Sequence, residues 1–332
     1  MTSPIPRDER GAALLTVLLL VALMAVVSAV AVERLTLATR LAASSEGIAQ
    51  ARHFQLAAEA LAIRRIDTLI TASDTQVTAA GGWIDMPYTL PLPAGGNAEL
   101  RLSDGGNCFN LNSLVAESTV GGSTQRPLAI AQFIALMQAL GIERGVAADI
   151  AGSAGDWIDA DQLAGSPGAE DSAYANSAAP YRTGDRMMAD AGELRDVNGV
   201  APPLWTRIAP WVCALPTNDL SPINANTLQP EQAALLQMLL PAQIDAAAAR
   251  AHIAARPAAG YGRIERFWSG PTIGDARPSG DIGAQVSLKT RWFRLRTRIQ
   301  LGSVTVTASS LIDAGDGDSP ARVVRRSWGP EP

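Results

Sequence analysis

The sequence has very few residues that could supply thiolate or imidazole groups. Its 332 residues include two cysteines, Cys108 and Cys213, and two histidines, His53 and His252. A Cys/His zinc cluster would need nearly all four of them at unrelated positions, so this class of site is excluded. Ser-His-Asp and Cys-His arrangements remain possible in composition. Both histidines, however, lie in Ala-rich helical stretches, where packed or surface histidines are the common case.

Positive charge is also scarce relative to negative charge. The net charge is −5, with 18% charged and 47% hydrophobic residues. The whole molecule therefore lacks the electrostatic footprint of a nucleic-acid-binding protein, while its composition is that of a globular protein with a substantial core.

A segment close to the N-terminus lacks charge, and a longer one lacks proline. Ala12–Val32 is a run of 21 uncharged residues. As a helix this run is about 31 Å long, which is enough to cross the hydrocarbon core of a bilayer. Proline is absent between Pro6 and Pro87, and apolar residues recur at three- and four-residue steps beyond Val32. We expect one helix from about Ala13 to about Thr71, its first half in lipid and its second half amphipathic.

A removable secretory signal is the alternative for this segment. Ala29-Val30-Ala31 fits a small-residue cleavage site for ordinary signal peptidase. The apolar periodicity continues past this point without a polar turn, which argues for a retained helix.

The body of the chain shows two kinds of pattern. Strand-like runs occur in WIDMPYTLPLP, NAELRLSDGG, KTRWFRLRTRIQLG, SVTVTASSLIDA and ARVVRRSW, whereas RPLAIAQFIALMQALG, TLQPEQAALLQMLL and PAQIDAAAARAHIAARP have helical periodicity. The order predicts an α+β fold in which a large helical domain interrupts a small antiparallel sheet. We place the β region at residues 76–112 and 284–332, and the helical insertion at 113–283.

One predicted strand has a basic face. Arg294, Arg296 and Arg298 alternate with apolar residues in KTRWFRLRTRIQLG. Such a face is either a nucleic-acid surface or, as in most half-exposed strands, a solvated one.

Residues 156–196 form an acidic region with nine carboxylates, three arginines and no cysteine or histidine. Several oxygen donors on a flexible backbone suit a hard cation such as Ca²⁺, although the spacing is not that of an EF-hand. A solvated acidic loop that contains helix caps, for example Asp190, is the alternative.

The N-terminal residues resemble a known processing signal. Arg10-Gly11 followed at once by an apolar helix is similar to the class III signal of type IV pilins and type II secretion pseudopilins. The resemblance implies that prepilin peptidase cleaves between Gly11 and Ala12 and methylates Ala12. Residues 1–11 would then be the leader, 12–32 the transmembrane part of the helix and 33–75 its periplasmic part. Thr16 occupies the fifth mature position, where most members of the class carry Glu.

The lack of that Glu, together with a large helical insertion, resembles the general secretion pathway protein K family. SDGGNCFNLNSL, DWIDADQ, MMADAGELRDVNGV, CALP, INANT and GYGRIERFW are the segments that carry the resemblance. It implies a pilin-like fold with no enzymatic activity, and a minor pseudopilin that caps the pseudopilus and initiates its assembly. The implied partners are the H-, I- and J-type minor pseudopilins, the major pseudopilin, prepilin peptidase and the inner-membrane secretion platform.

The family resemblance also implies calcium in the acidic region. The ligands we expect first are Asp159, Asp161, Glu170 and Asp171, followed by Asp156, Asp185 and Asp190. It further implies a single-pass inner-membrane protein whose C-terminal body lies in the periplasm. In that oxidising compartment Cys108 and Cys213 should form a disulfide, and two buried free thiols are the alternative.

A second function class has some support in the sequence. INANTLQPEQAALLQMLLPAQIDAAAARAHIAAR resembles the outline of a helix-hairpin-helix module, which would suit a membrane-anchored periplasmic DNA-binding protein. The hairpin position reads LLPAQIDA, with neither the glycines that cradle phosphate nor a lysine. We therefore expect the segment to serve packing and expect no nucleic-acid partner.

Overall fold

A computed structural model of the chain describes residues 7–93, 95–117, 122–175, 180–274, 278, 280–315 and 319–329. Its first element is α1 (Arg7–Thr71), a single helix of 65 residues. At the usual rise this helix is about 97 Å long. The absence of proline allows this length. The helix ends before Ser73 and Thr75, where a serine hydroxyl accepts a hydrogen bond from the Thr75 backbone and so competes with helical bonding.

The rest of the chain is made of strands and short helices. The strands are β1 (Tyr88–Pro91), β2 (Asn97–Asp104), β3 (Phe109–Asn110), β4 (Val115–Glu117), β5 (Ser123–Gln125), β6 (Val212–Cys213), β7 (Ile223–Asn224), β8 (Val286–Ser287), β9 (Trp292–Leu301), β10 (Val304–Asp313) and β11 (Arg322–Trp328). The further α-helices are α2 (Pro127–Ala139), α3 (Arg144–Ile158), α4 (Asp171–Tyr174), α5 (Pro202–Ile208), α6 (Ala233–Leu239), α7 (Ala246–Ala254), α8 (Ile264–Trp268) and α9 (Gly280–Gln285). Single 3₁₀ turns span Leu111–Leu114, Ala191–Asp196, Ala209–Trp211 and Pro230–Gln232.

Five strands form one antiparallel sheet in the order β1–β2–β9–β10–β11. Alternation along each strand sends apolar side chains to one face, where they pack on the second half of α1. The strands lie where the period-two pattern predicts them. The predicted α+β fold, with a long N-terminal helix on a small antiparallel sheet and a helical insertion, is confirmed.

The chain leaves this sheet after Asp104 and returns to it at Trp292. The intervening residues form a helical body with its own apolar core, in which Phe109 and Phe133 stack at 4.7 Å between ring centroids. Asp104 lies half-buried at the junction. Its carboxylate accepts hydrogen bonds from Gly106 N, Thr227 Oγ1 and Thr290 Oγ1, and so ties the outgoing and returning chain together.

The helical body is attached next to the C-terminal end of α1. Val77 N donates to Leu288 O at 2.7 Å, and Asn224 Nδ2 donates to Val77 O at 3.1 Å. Gln76 contributes a further tie, since its amide oxygen accepts from Asn226 Nδ2 and Gly262 N. The body therefore lies at the end of α1 that is farthest from its uncharged segment.

Candidate functional site

Three carboxylates of the acidic region converge in the structure. Asp156, Asp159 and Glu170 each offer one oxygen, and these oxygens lie within 4.8 Å of one another. All three residues are buried, at 0%, 4% and 4% exposure respectively. A cluster of three buried acids is costly unless protons or a cation compensate the negative charge.

The last turn of α3 supplies two members of this cluster. Asp156 lies within the helix and Asp159 is its C-cap, so their three-residue spacing brings both side chains to one face. Carboxylates at this position are unfavourable because the C-terminal end of a helix dipole is negative, and the last turn of α3 contains no basic residue. Glu170 reaches the same place from the loop that precedes α4. The local structure thus concentrates negative charge.

The three acids differ in their hydrogen bonds. Asp156 accepts from Gln125 Nε2, from Gly165 N at 3.1 Å and from the Ala169 backbone. Asp159 Oδ1 and both carboxylate oxygens of Glu170 are buried without a hydrogen-bond partner among the described residues. Oxygens of this kind are what a bound cation would satisfy.

Burial and mutual repulsion perturb these groups strongly. Burial raises the pKa of Asp159 to about 7, and the neighbouring charges of Asp161, Asp156 and Asp185 add to the rise. Burial likewise raises the pKa of Glu170 to about 7, with Asp156 and Asp159 as the next causes. Burial also raises the pKa of Asp156, although its hydrogen bonds oppose the shift.

The loop from Gly165 to Ala169 closes over the cluster. A Cβ at Gly168 would lie 2.1 Å from Asp156 Oδ2, and one at Gly152 would lie 2.0 Å from Pro167 O. Side chains at these two positions would therefore push the loop away from α3. The oxygen-only donor set, the orphaned carboxylate atoms and the close loop fit a hard cation such as Ca²⁺.

The other predicted ligands lie outside this central triad. Asp161 and Asp185 are exposed but close enough for their charges to raise the pKa of Asp159. Asp171 accepts from Thr183 N at 3.0 Å and from Thr183 Oγ1 at 2.9 Å. Asp190 forms a capping box at the start of the 3₁₀ turn Ala191–Asp196. A helix cap was the predicted alternative to a calcium ligand at this residue.

Two features near the cluster were missed from the sequence. Gln125, on β5, donates to Asp156 across 31 residues, and no local pattern announces such a contact. Trp157 lies between the two α3 carboxylates in sequence and forms an edge-on contact with Tyr174, with 5.5 Å between ring centroids. Three- and four-residue spacing places Trp157 on a different face of α3 from Asp156 and Asp159. The aromatic residues in DWIDADQ and DSAY could therefore have been used to predict an aromatic contact beside the carboxylates.

A disulfide joins Cys108 and Cys213, which are 105 residues apart. Both cysteines are buried together with Leu215, Trp292 and Leu311, in a small apolar cluster where the helical body meets the sheet. The bond closes the first part of the insertion into a loop and fixes its base.

Within the part of the chain that the structure describes, nothing buries the first half of α1. Residues 11–46 are exposed throughout, and the helix is long and apolar enough to cross a membrane. The Thr16 hydroxyl donates to Ala13 O at 2.8 Å, within the helix. Gly11 and Ala12 lie inside α1, whereas residues 1–6 of the predicted leader fall outside the described residues. Cleavage and methylation at this junction stay predictions.

The two histidines and the predicted hairpin segment lie on the surface or in packed parts of the structure. His53 is exposed on α1, and His252 is buried beside Phe267, with its Nδ1 2.7 Å from Thr272 Oγ1. In the segment between α6 and α7, Leu240 and Ile244 are buried in the core of the helical body.

Comparison with known proteins assigns the family. Family models described as "Type II secretion system (T2SS), protein K" match residues 107–217 and 223–289. The chain is 32% identical over 327 residues to the type II secretion system protein K of Pectobacterium carotovorum subsp. carotovorum, which covers 97% of each chain. It is 31% identical over 330 residues to that of Pseudomonas aeruginosa, covering 97% of this chain and 94% of the relative.

A solved structure gives the same assignment. One chain in the GspK-GspI-GspJ complex from the enterotoxigenic Escherichia coli type 2 secretion system matches with a TM-score of 0.75 and 30% identity. The match covers 86% of this chain and 98% of that one. Sequence and structure agree along most of the length, so the chain belongs to the type II secretion system protein K family.

Proposed function

We propose that this protein is a minor pseudopilin that caps the tip of the type II secretion pseudopilus, and that it initiates assembly for export of folded proteins across the outer membrane. The observation that carries the proposal is the position of the helical body. It is attached at Gln76 and Val77, directly beyond the end of α1 that lies away from the apolar segment. In a filament whose helices run parallel, such a body would obstruct the place of a subunit above.

The exposed half of α1 supports the membrane-anchored part of the proposal. The β9–β10 hairpin first meets α1 near Gly47, where a Cβ would lie 3.0 Å from Val304 Cγ2. Residues 11–46, on the N-terminal side of this contact, are exposed. Their first part would lie in the inner membrane and the rest would contact neighbouring α1 helices. The disulfide suits a body in the oxidising periplasm.

Thr16 supports a place at the tip. A carboxylate at this position in the membrane would be costly unless it paired with the N-terminal amine of a neighbouring subunit. The Thr16 hydroxyl is instead satisfied by Ala13 O in its own helix. The side chains of the uncharged segment, residues 12–32, therefore include no carboxylate that needs a neighbouring subunit.

The expected partners follow from the same arrangement. The solved relative was crystallised with GspI and GspJ. For this chain we propose equivalent I- and J-type minor pseudopilins, with H-type and major pseudopilins below them, and the inner-membrane platform and prepilin peptidase as assembly factors. The role is structural rather than enzymatic.

The carboxylate cluster would hold Ca²⁺ in this role. Asp156, Asp159 and Glu170 would bind it, with Asp161 and Asp185 close by. Bound Ca²⁺ would neutralise the negative charge at the end of α3 and hold the loop of residues 160–170 against it. The ion is structural in this proposal, since it links the loop to the helix.

Terbium luminescence tests the cation site. Tb³⁺ prefers the same oxygen ligands as Ca²⁺, and Trp157 is next to Asp156 in sequence. We expect tryptophan-sensitised emission from the full-length chain, displaced by Ca²⁺ and lost in Glu170→Gln. Glu193→Gln, in the same acidic region but in a capping box, is the matched control and should keep the emission. Equal emission from both variants would rule the cluster out as the binding site.

Immunogold electron microscopy tests the tip position. An epitope fused to the C-terminus should label one end of sheared pseudopili, at one site per filament. Labelling along the filament shaft would contradict the proposal.

Intact mass of the membrane-extracted protein tests processing. A chain that begins with methylated Ala12 is expected, whereas a start at Val32 would indicate ordinary signal peptidase.

A further inference from the structure

Gln125 reaches the carboxylate cluster from outside the acidic region of residues 156–196. It is the last residue of β5, and its side-chain Nε2 donates a hydrogen bond to Asp156. Asp156 is fully buried, and its carboxylate also accepts from Gly165 N and from the Ala169 backbone. A carboxylate has about four acceptor positions, so these three donors fix its direction and still leave room for a cation.

The other two acids of the cluster lack such support. Within the described part of the chain, Asp159 Oδ1 and both carboxylate oxygens of Glu170 have no hydrogen-bond partner. No donor in that part of the chain therefore sets the direction of these oxygens before an ion binds. Asp156 is the member of the cluster that the protein itself orients, and Gln125 supplies the side-chain donor. The other two donors to Asp156 are backbone N–H groups.

Two glycines make room for the Gln125 amide. A Cβ at Gly155 on α3 would lie 2.8 Å from Gln125 Cδ, and one at Gly165 would lie 3.2 Å from Gln125 Nε2. The same Nε2 lies 3.5 Å from Gly152 O. Glycine is less favourable than alanine inside a helix, so the helix propensity of α3 alone gives no reason for Gly155. The amide occupies a slot between α3 and the loop that closes over the cluster.

The hairpin that carries Gln125 holds its backbone in place. Gln125 lies opposite Val115 in the antiparallel β4–β5 pair, and Arg126 N donates to Leu114 O at 2.6 Å. Leu114 and Val115 are buried in the core of the helical body, and α2 begins at Pro127, directly after the hairpin. The side chain thus extends from a fixed position, which a residue needs if it is to orient another one.

We propose that Gln125 is a positioning residue of the cation site, whose amide holds the Asp156 carboxylate toward the space that it shares with Asp159 and Glu170. Groups that hydrogen-bond a metal-binding side chain set its orientation, and their loss typically weakens metal binding by about 10- to 100-fold. An acid that is oriented beforehand also needs less ordering when the ion binds. This role rests on the proposed cation site, and it adds to that site a residue that has no carboxylate.

Terbium titration of the full-length chain in nonionic micelles tests the proposal. We expect Gln125→Met, which keeps the length of the side chain but removes the donor, to weaken Tb³⁺ binding about tenfold or more. Gly155→Ala should weaken it as well, because the new Cβ would displace the Gln125 amide, although alanine favours the helix. The matched control is Thr124→Met, which places the same side chain at the exposed neighbouring position of β5 and should leave binding unchanged.

A double-mutant cycle separates positioning from other roles. In the Asp156→Asn chain, Gln125→Met should weaken Tb³⁺ binding by less than about twofold, since the carboxylate that Gln125 positions is no longer there. Equal losses in the parent and in the Asp156→Asn chain would overturn the proposal, because Gln125 would then act independently of Asp156. An equal loss in Thr124→Met would also overturn it.

The same titration distinguishes this role from the cation site on which it rests. Binding as tight in Gln125→Met as in the parent would overturn the positioning role alone and would leave the cation site in place. Absence of sensitised emission from the parent chain would instead contradict the cation site, and the role of Gln125 with it.

Discussion

Glu59 and Glu170 are buried to the same degree in the two halves of the molecule, at 3% and 4% exposure, but they have opposite electrostatics. Glu59 lies where α1 meets the sheet. Burial alone would raise its pKa, but hydrogen bonds from Arg326, Ser310 and Gln55 outweigh burial and hold its pKa below the ordinary value. Among the described residues no such donor reaches Glu170, and burial raises its pKa to about 7.

The difference shows what each half needs for stability. The α1–sheet half satisfies its buried charge internally, through an ion pair between Glu59 and Arg326 and a side-chain network that includes Gln55 and Thr297. In the helical body, Asp159 Oδ1 and both Glu170 carboxylate oxygens have no hydrogen-bond partner among the described residues, and the body is tied by a disulfide. We infer that the first half is complete in itself and that the second depends on a covalent bond and on the cation proposed above.

The largest effect is expected from removing the disulfide. Replacing both Cys108 and Cys213 with Ser should lower the free energy of unfolding by about 4–5 kcal/mol, because the bond closes a loop of roughly a hundred residues. Urea unfolding measures the loss, and hydrogen exchange should show it in the helical body before the α1–sheet half. Equal loss of protection in both halves would show that they are not independent in this way.

Calcium, and a rise of pH from 5 to 8, should act mainly on the helical body. The pKa values of Asp159 and Glu170 are raised by folding, so the stability linked to them is present below about pH 4 and is lost as pH rises through about 7. Without divalent ions, the body should therefore melt at a lower temperature at pH 8 than at pH 5. Ca²⁺ at about a hundred times its Kd should restore about 2.7 kcal/mol at pH 8.

Glu170→Gln gives the control for this pH dependence. The variant should stabilise the ion-free chain at pH 8, since it removes a buried charge, and it should abolish the response to Ca²⁺. A variant that still gained stability from Ca²⁺ would contradict the assignment of the cluster. Calorimetry of both proteins with Ca²⁺ and with a chelator provides the comparison.

The same substitution at Glu59 should have the opposite sign. Glu59→Gln should destabilise the chain by about 2 kcal/mol at pH 7, because it breaks a partly buried ion pair and leaves Arg326 without its partner. The folded pKa of Glu59 is depressed, so its contribution is present above about pH 4.5 and is lost as pH falls through the folded value. Urea unfolding at pH 7 measures the change. The matched control is Arg322→Gln, at an exposed position on β11, the strand that carries Arg326. It should lower the free energy of unfolding by under about 0.5 kcal/mol.

The smallest effect is expected from Thr16→Glu. Thr16 is exposed and bonded only within α1, so the variant should leave the unfolding of both halves within about 0.5 kcal/mol of the parent. Cleavage after Gly11 should also be retained, as measured by intact mass. Complete loss of cleavage would show that position 16 takes part in recognition by the peptidase.

Much of the fold was predictable because its signals are local. The absence of proline and charge predicts α1, and alternation predicts the strands that became β2, β9, β10 and β11. Glu59 was missed, although it could have been used to predict a buried polar contact between α1 and the sheet. It follows Gln55 by four residues on the stripe formed by Ala51, Ala58 and Ala62, and so marks a polar pair on the buried face of the helix.

The composition of the cluster was less accessible from the sequence. The spacing of Asp156 and Asp159 on α3 is local, but the approach of Glu170 depends on how the loop returns to the helix. Asp171, its neighbour in sequence, bonds Thr183 instead. The side chains of adjacent loop residues can point to different partners because the backbone torsions set their directions. Those torsions are fixed by tertiary packing, which the local sequence does not show.

The sequence by itself determined that this chain has a membrane-length helix, a small sheet with a helical insertion, and two cysteines. Periodicity, charge and the absence of helix breakers act over a few residues and need no tertiary context. Only the tertiary structure decided which buried charges are paired and which lack a hydrogen-bond partner among the described residues. A charge is compensated by whatever lies within a few ångströms, and in this chain those groups come from residues up to 267 positions apart.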